Sequence, residues 1–344
     1  MDAFIGIDLA CAKNKHCPIS ICTFENGRLI PLLLTEEAFV APRGSGNVAT
    51  LNREHNYVYA NEIKNYILSV CKAHNLTAKR IALDAPLTPK KHTLKRRLAE
   101  QALDRFRISC YATPSAADFE NIIAKGKAHI AQGKEPSRLP HSMQIFMLAG
   151  FALAEVLEEV AEVIEIYPQA NARLLSVAGK HKTKQDQSMV QLKAISEYTG
   201  WPNAAHEWES VGNICKAPMH DKIDAYSAAW IASLPVEKRV ALGSVEHNDA
   251  IWVPDLDKLE RIQKVDINFS SAEHDVKLSY ATKPKIKKRK PTESKMPEVC
   301  PACNTFKFKM WPFGWDTHAA HKCIGIIGSN PEERKRLFKQ KYMK

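Results

Sequence analysis

The chain has 344 residues, 45% hydrophobic and 25% charged, with 49 Lys and Arg against 38 Asp and Glu, a net charge of +11 and a pI of about 9.1. That length buries a full core with room for one large domain and a small one, and the composition excludes a low-complexity chain. No apolar run reaches the roughly 18 residues of a membrane-spanning helix, so no membrane partner is expected. The start, Met-Asp-Ala-Phe-Ile-Gly-Ile-Asp, lacks the basic region of a signal peptide.

A cytoplasmic location is therefore expected, with the 9 Cys as reduced thiols or metal ligands rather than disulfides. The basic balance permits nucleic-acid binding without requiring it.

Phe4-Ile5-Gly6-Ile7-Asp8 reads as a buried first strand ending in an acid. A lone buried carboxylate is costly, so Asp8 is either a hydrogen-bonded strand-end residue or a metal ligand at the sheet centre. Cys17 to Phe24 and Arg28 to Leu34 read as two further strands, joined at the Asn26-Gly27 turn signal, so the chain opens as a three-strand meander. Ala41 to Leu51 is a Gly-, Ser- and Pro-rich loop, and its Gly44-Ser45-Gly46 is too short for a phosphate loop. Asn56 to His74 has helical spacing in Ile63, Tyr66, Ile67 and Val70. Lys79 to Leu87 reads as a strand ending in Asp84 and stopped by Ala85-Pro86. Ligands of α/β sheets sit at such strand ends.

Pro89 to Arg107 carries Lys90, Lys91, His92, Lys95, Arg96, Arg97, Arg105 and Arg107. The run is either a solvated helix face or, beside an acidic pocket, a holder of phosphates. Ile108 to Ala112 reads as a short strand, Ala117 to Pro140 as polar and mobile, and Met143 to Val160 as a long amphipathic helix. Glu162 to Pro168 is another strand, whose Glu165 either faces water at an edge or joins a pocket. Asn171 to Val177 and Gln187 to Thr199 have helical spacing, and Trp201-Pro202 is a turn. His220 to about Ser233 is a helix of small and apolar residues. Its Asp221 and Asp224 are three apart and share a face. Helix capping explains one acid there more easily than two, and two acids at the lip of an apolar helix suit a divalent-metal site. Ile251 to Pro254 reads as a last strand.

From Asp255 the character changes. Lys283 to Pro291 is basic and Pro-punctuated, a tether or a phosphate-binding strap through Lys287, Lys288 and Arg289. Cys300-Pro301-Ala302-Cys303 is followed, after fourteen residues, by His318, His321 and Cys323. This is close to zinc-finger spacing. His318 with Cys323 fits the usual gap better than His318 with His321. A segment this short and aromatic has little core of its own, and structural Zn2+ would supply its folding energy.

The acids in order point to a family. Gly6-Ile7-Asp8, Ala82-Leu83-Asp84-Ala85-Pro86, Glu165-Ile166-Tyr167-Pro168 and Asp221-Lys222-Ile223-Asp224-Ala225 resemble the RNase H-like fold with the acid order of RuvC-type resolvases. More closely, the chain resembles a family of predicted nucleases of that fold, domain-of-unknown-function family 429. Arg97 and Glu100 fall near its Arg-x-x-acid position. The resemblance spans roughly residues 3–235 and leaves out the zinc-finger-like module.

It implies an α/β RNase H-like catalytic domain over 1–254, with a mixed five-stranded sheet flanked by helices. A basic linker over 255–295 and a zinc-finger-like module with a basic tail over 296–344 follow. It further implies a metal-dependent nuclease (a hydrolase cleaving DNA or RNA) with two Mg2+ or Mn2+ ions about 4 Å apart. Asp8 would bridge the ions, Asp84 and Asp224 would each hold one, and Asp221 and Glu165 would be further acids. Lys90, Lys91, Arg96 and Arg97 would hold the substrate backbone. His220 is a proton shuttle or only a helix-start residue. A homodimer suits resolvase-like action.

Two other readings compete: a nucleic-acid-binding adaptor with a vestigial acidic site, and an actin-like or sugar-kinase-like ATPase. The ATPase needs a Gly-rich hairpin after the first strand, and Ala10-Cys11-Ala12-Lys13-Asn14-Lys15 has no Gly.

Overall fold

The computed structural model describes residues 1–35, 39–177 and 185–262, with positions 330, 333, 336, 337 and 340. The chain divides into a unit Met1–Asn268 and a unit Phe269–Lys344, and the architecture below is that of the first. The strap residues Lys287, Lys288 and Arg289 and the zinc candidates Cys300, Cys303, His318, His321 and Cys323 lie outside the described residues.

Asp2–Ile7 (β1), Ile19–Glu25 (β2) and Arg28–Pro31 (β3) pair antiparallel in chain order, with the turn at Asn26 and Gly27. Thr77–Leu83 (β4) lies parallel to β1, and Glu162–Ile166 (β5) parallel to β4. Arg239–Ser244 (β6) and Asp249–Pro254 (β7) form an antiparallel hairpin whose second strand joins β5 in parallel. The order β3-β2-β1-β4-β5-β7-β6 makes a seven-stranded sheet, rather than the five strands expected. The β6 stretch Arg-Val-Ala-Leu-Gly-Ser has no clean alternation, because β6 is an edge strand half open to solvent. Ile108 to Ala112 is not a strand; Ile108 instead packs with Leu103, Leu242 and Ile251.

Helices cover both faces. Arg53–Ala73 (α2), after the single turn Asn47–Thr50 (α1), buries Ile63, Ile67 and Val70. Leu98–Arg105 (α3) is shorter than the basic run predicted, since Lys90 to Arg97 is loop. Ala116–Ala131 (α4) replaces the mobile segment expected there. Ser115 caps it, its Oγ accepting from Asp118 N while Asp118 Oδ2 accepts from Ser115 N. Phe119, Ile122 and Gly126, at helical spacing, form its buried face.

Ser142–Leu157 (α5) packs beside α2 on one face of the sheet, around Ile5, Ile7, Ile81 and Leu83. Pro168–Leu174 (α6), Gln185–Thr199 (α7), Ala205–Ser210 (α8) and Met219–Ser233 (α9) follow. α9 lies on the opposite face with α7, over Ala82, Ile164 and Ile166. Neighbouring strand residues thus serve opposite cores, as the pleat dictates.

Every residue from Asp221 to Ser233 is buried. The helix comes this close because β1 carries Gly6. A Cβ there would stand 2.0 Å from Ala225 O and 2.3 Å from Ala229 N. The small residues of α9 and the bare strand at Gly6 therefore fix the helix start over the end of β1. Among the described residues no helix is long and apolar enough to cross a membrane.

Candidate active site

β1 and β4 are parallel neighbours in register, Ile7 opposite Leu83. The next residue of each is an acid. Asp84 N donates to Ile7 O at 2.9 Å, and Asp8 N donates to Pro18 O at 3.1 Å. Asp8 and Asp84 therefore sit side by side where the strands end, half-buried. Asp221 comes to them from the first turn of α9, one helical turn before the Ala225 that rests on Gly6. These three carboxylates and Glu165 line one cavity of about 1140 Å³.

Lys15 reaches into the same place. Its Nζ lies 2.6 Å from Asp221 Oδ2, and His220 Nε2 lies 2.9 Å from Asp221 Oδ1. The Lys15 contact has ion-pair distance but not hydrogen-bond alignment, so Asp221 Oδ2 is buried without an aligned donor. The loop carrying Lys15 is laced to residues 42–47. Asn14 N donates to Gly44 O, Gly44 N to Lys15 O, and Gly46 N to Cys11 O, each at 2.8–2.9 Å. Gly44 is required there, because a Cβ would meet Cys11 C at 2.4 Å.

Asp224 shares the helix face with Asp221 but is not among the cavity-lining residues. It is buried, and accepts from Gln191 Nε2 at 3.3 Å. Burial and then the charges of Asp84, Cys110 and Asp224 push the Tyr167 phenol up to about 12, so Asp84 and Asp224 both act on this one ring.

Glu165 is a cavity carboxylate rather than an exposed edge residue, and it is fully engaged. Arg97 forks onto it, Nη1 to Oε1 at 2.9 Å and Nη2 to Oε2 at 2.6 Å, and Leu87 N donates at 3.2 Å. Burial raises its pKa above the usual carboxylate range, although Arg97 and the Leu87 N–H favour the anion. Arg97 also donates Nε to Asp249 Oδ1 at 3.0 Å, and Asp249 caps the N–H groups of Leu98 and Ala99. Arg97 is 1% exposed, and three of its donors are engaged by acids.

Arg96 is engaged likewise, by Glu100, Asp104 and Cys110. Glu100 accepts from Thr113 N at 2.7 Å. Arg96 and Arg97, expected to hold a substrate backbone, thus have guanidinium donors engaged within the fold: Arg96 ties the loop before α3 to Glu100, Asp104 and Cys110, and Arg97 aims Glu165. Lys90 donates to Leu94 O at 2.7 Å, and Lys91 is exposed; neither lines the cavity.

Part of the lining is apolar. Met143, Phe146 and Met147 of α5 form it with Tyr111 and Tyr167. Tyr111 is 60% exposed and Met143 47%. These residues and Lys15 were missed from sequence. The i, i+3, i+4 spacing of Met143, Phe146 and Met147 is the one available signal, and it reads as core. Cys11 also lines the cavity, but burial, and then Cys17, push its thiol up to about 12, so it stays protonated and is no nucleophile.

The donors suit a hard divalent ion in kind, since three carboxylates from separate elements open on one cavity and one buried oxygen lacks an aligned donor. Among the described residues, however, no three His, Cys, Asp or Glu side chains stand in a group that could hold a metal ion as placed. The Lys15 ammonium instead occupies the space beside Asp221.

Neither the curated proteins nor the solved structures contain a match to this chain. Residues 33–247 begin after Asp8 and hold Asp84, Arg97, Glu100, Glu165, Asp221 and Asp224; they match the family described as Protein of unknown function (DUF429), and the chain belongs to that family.

Proposed function

We propose that residues 1–254 form an RNase H-like domain and that the chain is a nuclease, dependent on Mg2+ or Mn2+, cleaving phosphodiester bonds of DNA or RNA in the cytoplasm. The observation that carries this reading is the meeting of Asp8, Asp84 and Asp221 at one cavity, beside the ends of two parallel strands. The order of elements supports the fold: a central first strand, an antiparallel hairpin, a helix, and then a parallel β4 ending in an acid.

Asp8, Asp84 and Asp221 would hold the metal, which when bound supplies Lewis acidity at a phosphoryl oxygen and makes water a stronger nucleophile. The chain's own groups do the rest. Arg97 favours the anion of Glu165 and aims it at the cavity. His220, at Asp221, is positioned to take or return a proton. The wall of Tyr111, Met143 and Phe146 offers an apolar surface on which a base next to the scissile phosphate can stack. Lys287, Lys288 and Arg289 add phosphate contacts. Cys300, Cys303, His318 and Cys323 would hold Zn2+, which would supply folding energy to the C-terminal module, and a homodimer would pair two such sites.

A second reading, an adaptor that binds nucleic acid without cleaving it, draws on the Lys15–Asp221 ion pair, which neutralises one of the three acids. Labelled DNAs and RNAs incubated with Mn2+, Mg2+ or EDTA separate the two. Cleavage that needs metal and is lost in Asp8→Asn and Asp84→Asn is the expected result. Salt-sensitive binding with no cleavage under any condition would establish the adaptor.

A further inference from the structure

The first turn of α5 opens on the cavity without a cap. Ser142 and Met143 both line the cavity. Their N–H groups have no partner among the described residues, and the first N–H groups of a helix stay open until a side chain, water or ligand takes them. His141, the residue before, does not cap them; its Nδ1 lies 2.9 Å from Gln144 Oε1 instead. No acid stands in this turn, so the positive end of the helix dipole is unopposed there.

Thr113 lines the same cavity, is 1% exposed, and its Oγ1 is buried with no hydrogen-bond partner. The chain just before it is tied to the α5 turn, where Gln144 Nε2 donates to Ala112 O at 3.5 Å. A hydroxyl both donates and accepts, and one left unpaired in a cavity wall is open to a polar group of a ligand. Glu100 lines the cavity too, but its carboxylate is taken, Oε1 by Thr113 N at 2.7 Å and Oε2 by Arg96 Nε at 3.2 Å.

Tyr111 lies two residues before Thr113 and is 60% exposed, and Met143 is 47% exposed. A ring and a thioether this open at a cavity offer a surface for a flat aromatic ligand. A paired base has both faces covered by its neighbours in the stack, so a base that lies on Tyr111 is an unpaired one.

We propose that the start of α5 and the Tyr111–Thr113 stretch form a subsite for one unpaired nucleotide of a single strand. A phosphate takes the N–H groups of Ser142 and Met143, the base lies on Tyr111 and the Met143 side chain, and the Thr113 hydroxyl meets a polar edge. This rests on the nucleic-acid reading above but needs no metal, because the phosphate is held by backbone donors.

The test is calorimetric titration of the full-length protein in EDTA with 5′-phosphorylated thymidine and uridine dinucleotides. Wild type is expected to bind at least one of them; the preferred one assigns the sugar. Met143→Glu puts an acid where the helix dipole favours it and where a phosphate would be repelled. It is expected to keep the urea midpoint and to bind roughly tenfold more weakly or worse. Met143→Leu is expected to match wild type, and Tyr111→Ala to lose roughly tenfold. A closed hairpin duplex is expected not to displace the dinucleotide. No dinucleotide binding by wild type, unchanged affinity in Met143→Glu and Tyr111→Ala, displacement by the duplex, or inorganic phosphate binding as tightly as the dinucleotide overturns the proposal. Metal-dependent cleavage alongside any of these leaves the nuclease reading standing, whereas dinucleotide binding without cleavage keeps the subsite and favours the adaptor. If Met143→Glu does not fold, Tyr111→Ala, at an exposed ring, decides.

Discussion

A guanidinium at 1% exposure survives only beside acids, and Arg97 has two, Glu165 in a fork and Asp249 at Nε. The three charges form a closed set under the cavity, and removing the cation leaves two buried carboxylates unpaired. Arg97→Met is expected to lower stability by about 3–5 kcal/mol, read as a fall in the urea midpoint at unchanged slope. Arg97→Lys should recover only part of that, because an ammonium cannot present the planar fork. A wild-type midpoint in Arg97→Met would mean that Glu165 and Asp249 find other partners. Sequence showed the acids at this scale better than their partners. Asp8 and Asp84 stand out because each ends an apolar strand, a local pattern. Arg97 sits in a run of basic residues and looks like its neighbours, and its partner Asp249 is 152 residues away. The direction of a side chain in a loop leaves no periodic trace, which is also why Lys15 and Tyr111 were not found.

At the scale of elements, one contact sets the site: α9 across β1 at Gly6. The alanines of α9 announced close packing, and the apolar strand announced burial, so both partners of this contact were legible. A Cβ on Gly6 has nowhere to go, because the atoms it meets are backbone and an alanine methyl. Gly6→Val is therefore expected to cost about 3 kcal/mol or more. The variant that still folds should carry its α9 displaced from the strand end, and so bind Mn2+ more weakly than wild type. A Gly6→Val protein with unchanged urea midpoint and Mn2+ affinity would show that α9 is not what holds Asp221 in place. α4 was legible in principle too, since Ser115-x-x-Asp118 is a capping box. Its lysines and glutamate masked the apolar triad Phe119, Ile122 and Gly126. The β6–β7 hairpin was harder, because its packing partner is α3, whose own extent the basic run disguised.

Over the whole molecule, the charge is divided unevenly. Residues 269–344 hold 17 Lys and Arg against 7 Asp and Glu, a net +10, whereas residues 1–268 hold 32 against 31, a net +1. The unit with the acidic cavity is thus almost neutral and exerts little long-range pull on a polyanion. Its counterpart carries nearly all of the attraction, densest at Lys283, Lys285, Lys287, Lys288, Arg289 and Lys290, six cations within eight residues. On the proposed function, recognition and chemistry fall to different parts of one chain, and they separate by salt. Each phosphate contact contributes a slope of about −0.9 in log affinity against log salt on duplex DNA. Replacing those six residues by Gln in the full chain should flatten the slope by about 5 and remove roughly a thousandfold of the salt-induced loss between 50 and 200 mM. The count of Mn2+ bound at the cavity should not change. Anisotropy of a labelled duplex across a NaCl series reads the slope directly. Parallel lines for the two proteins would place the phosphate contacts elsewhere, on the exposed Lys91 or on Lys13 at the cavity rim.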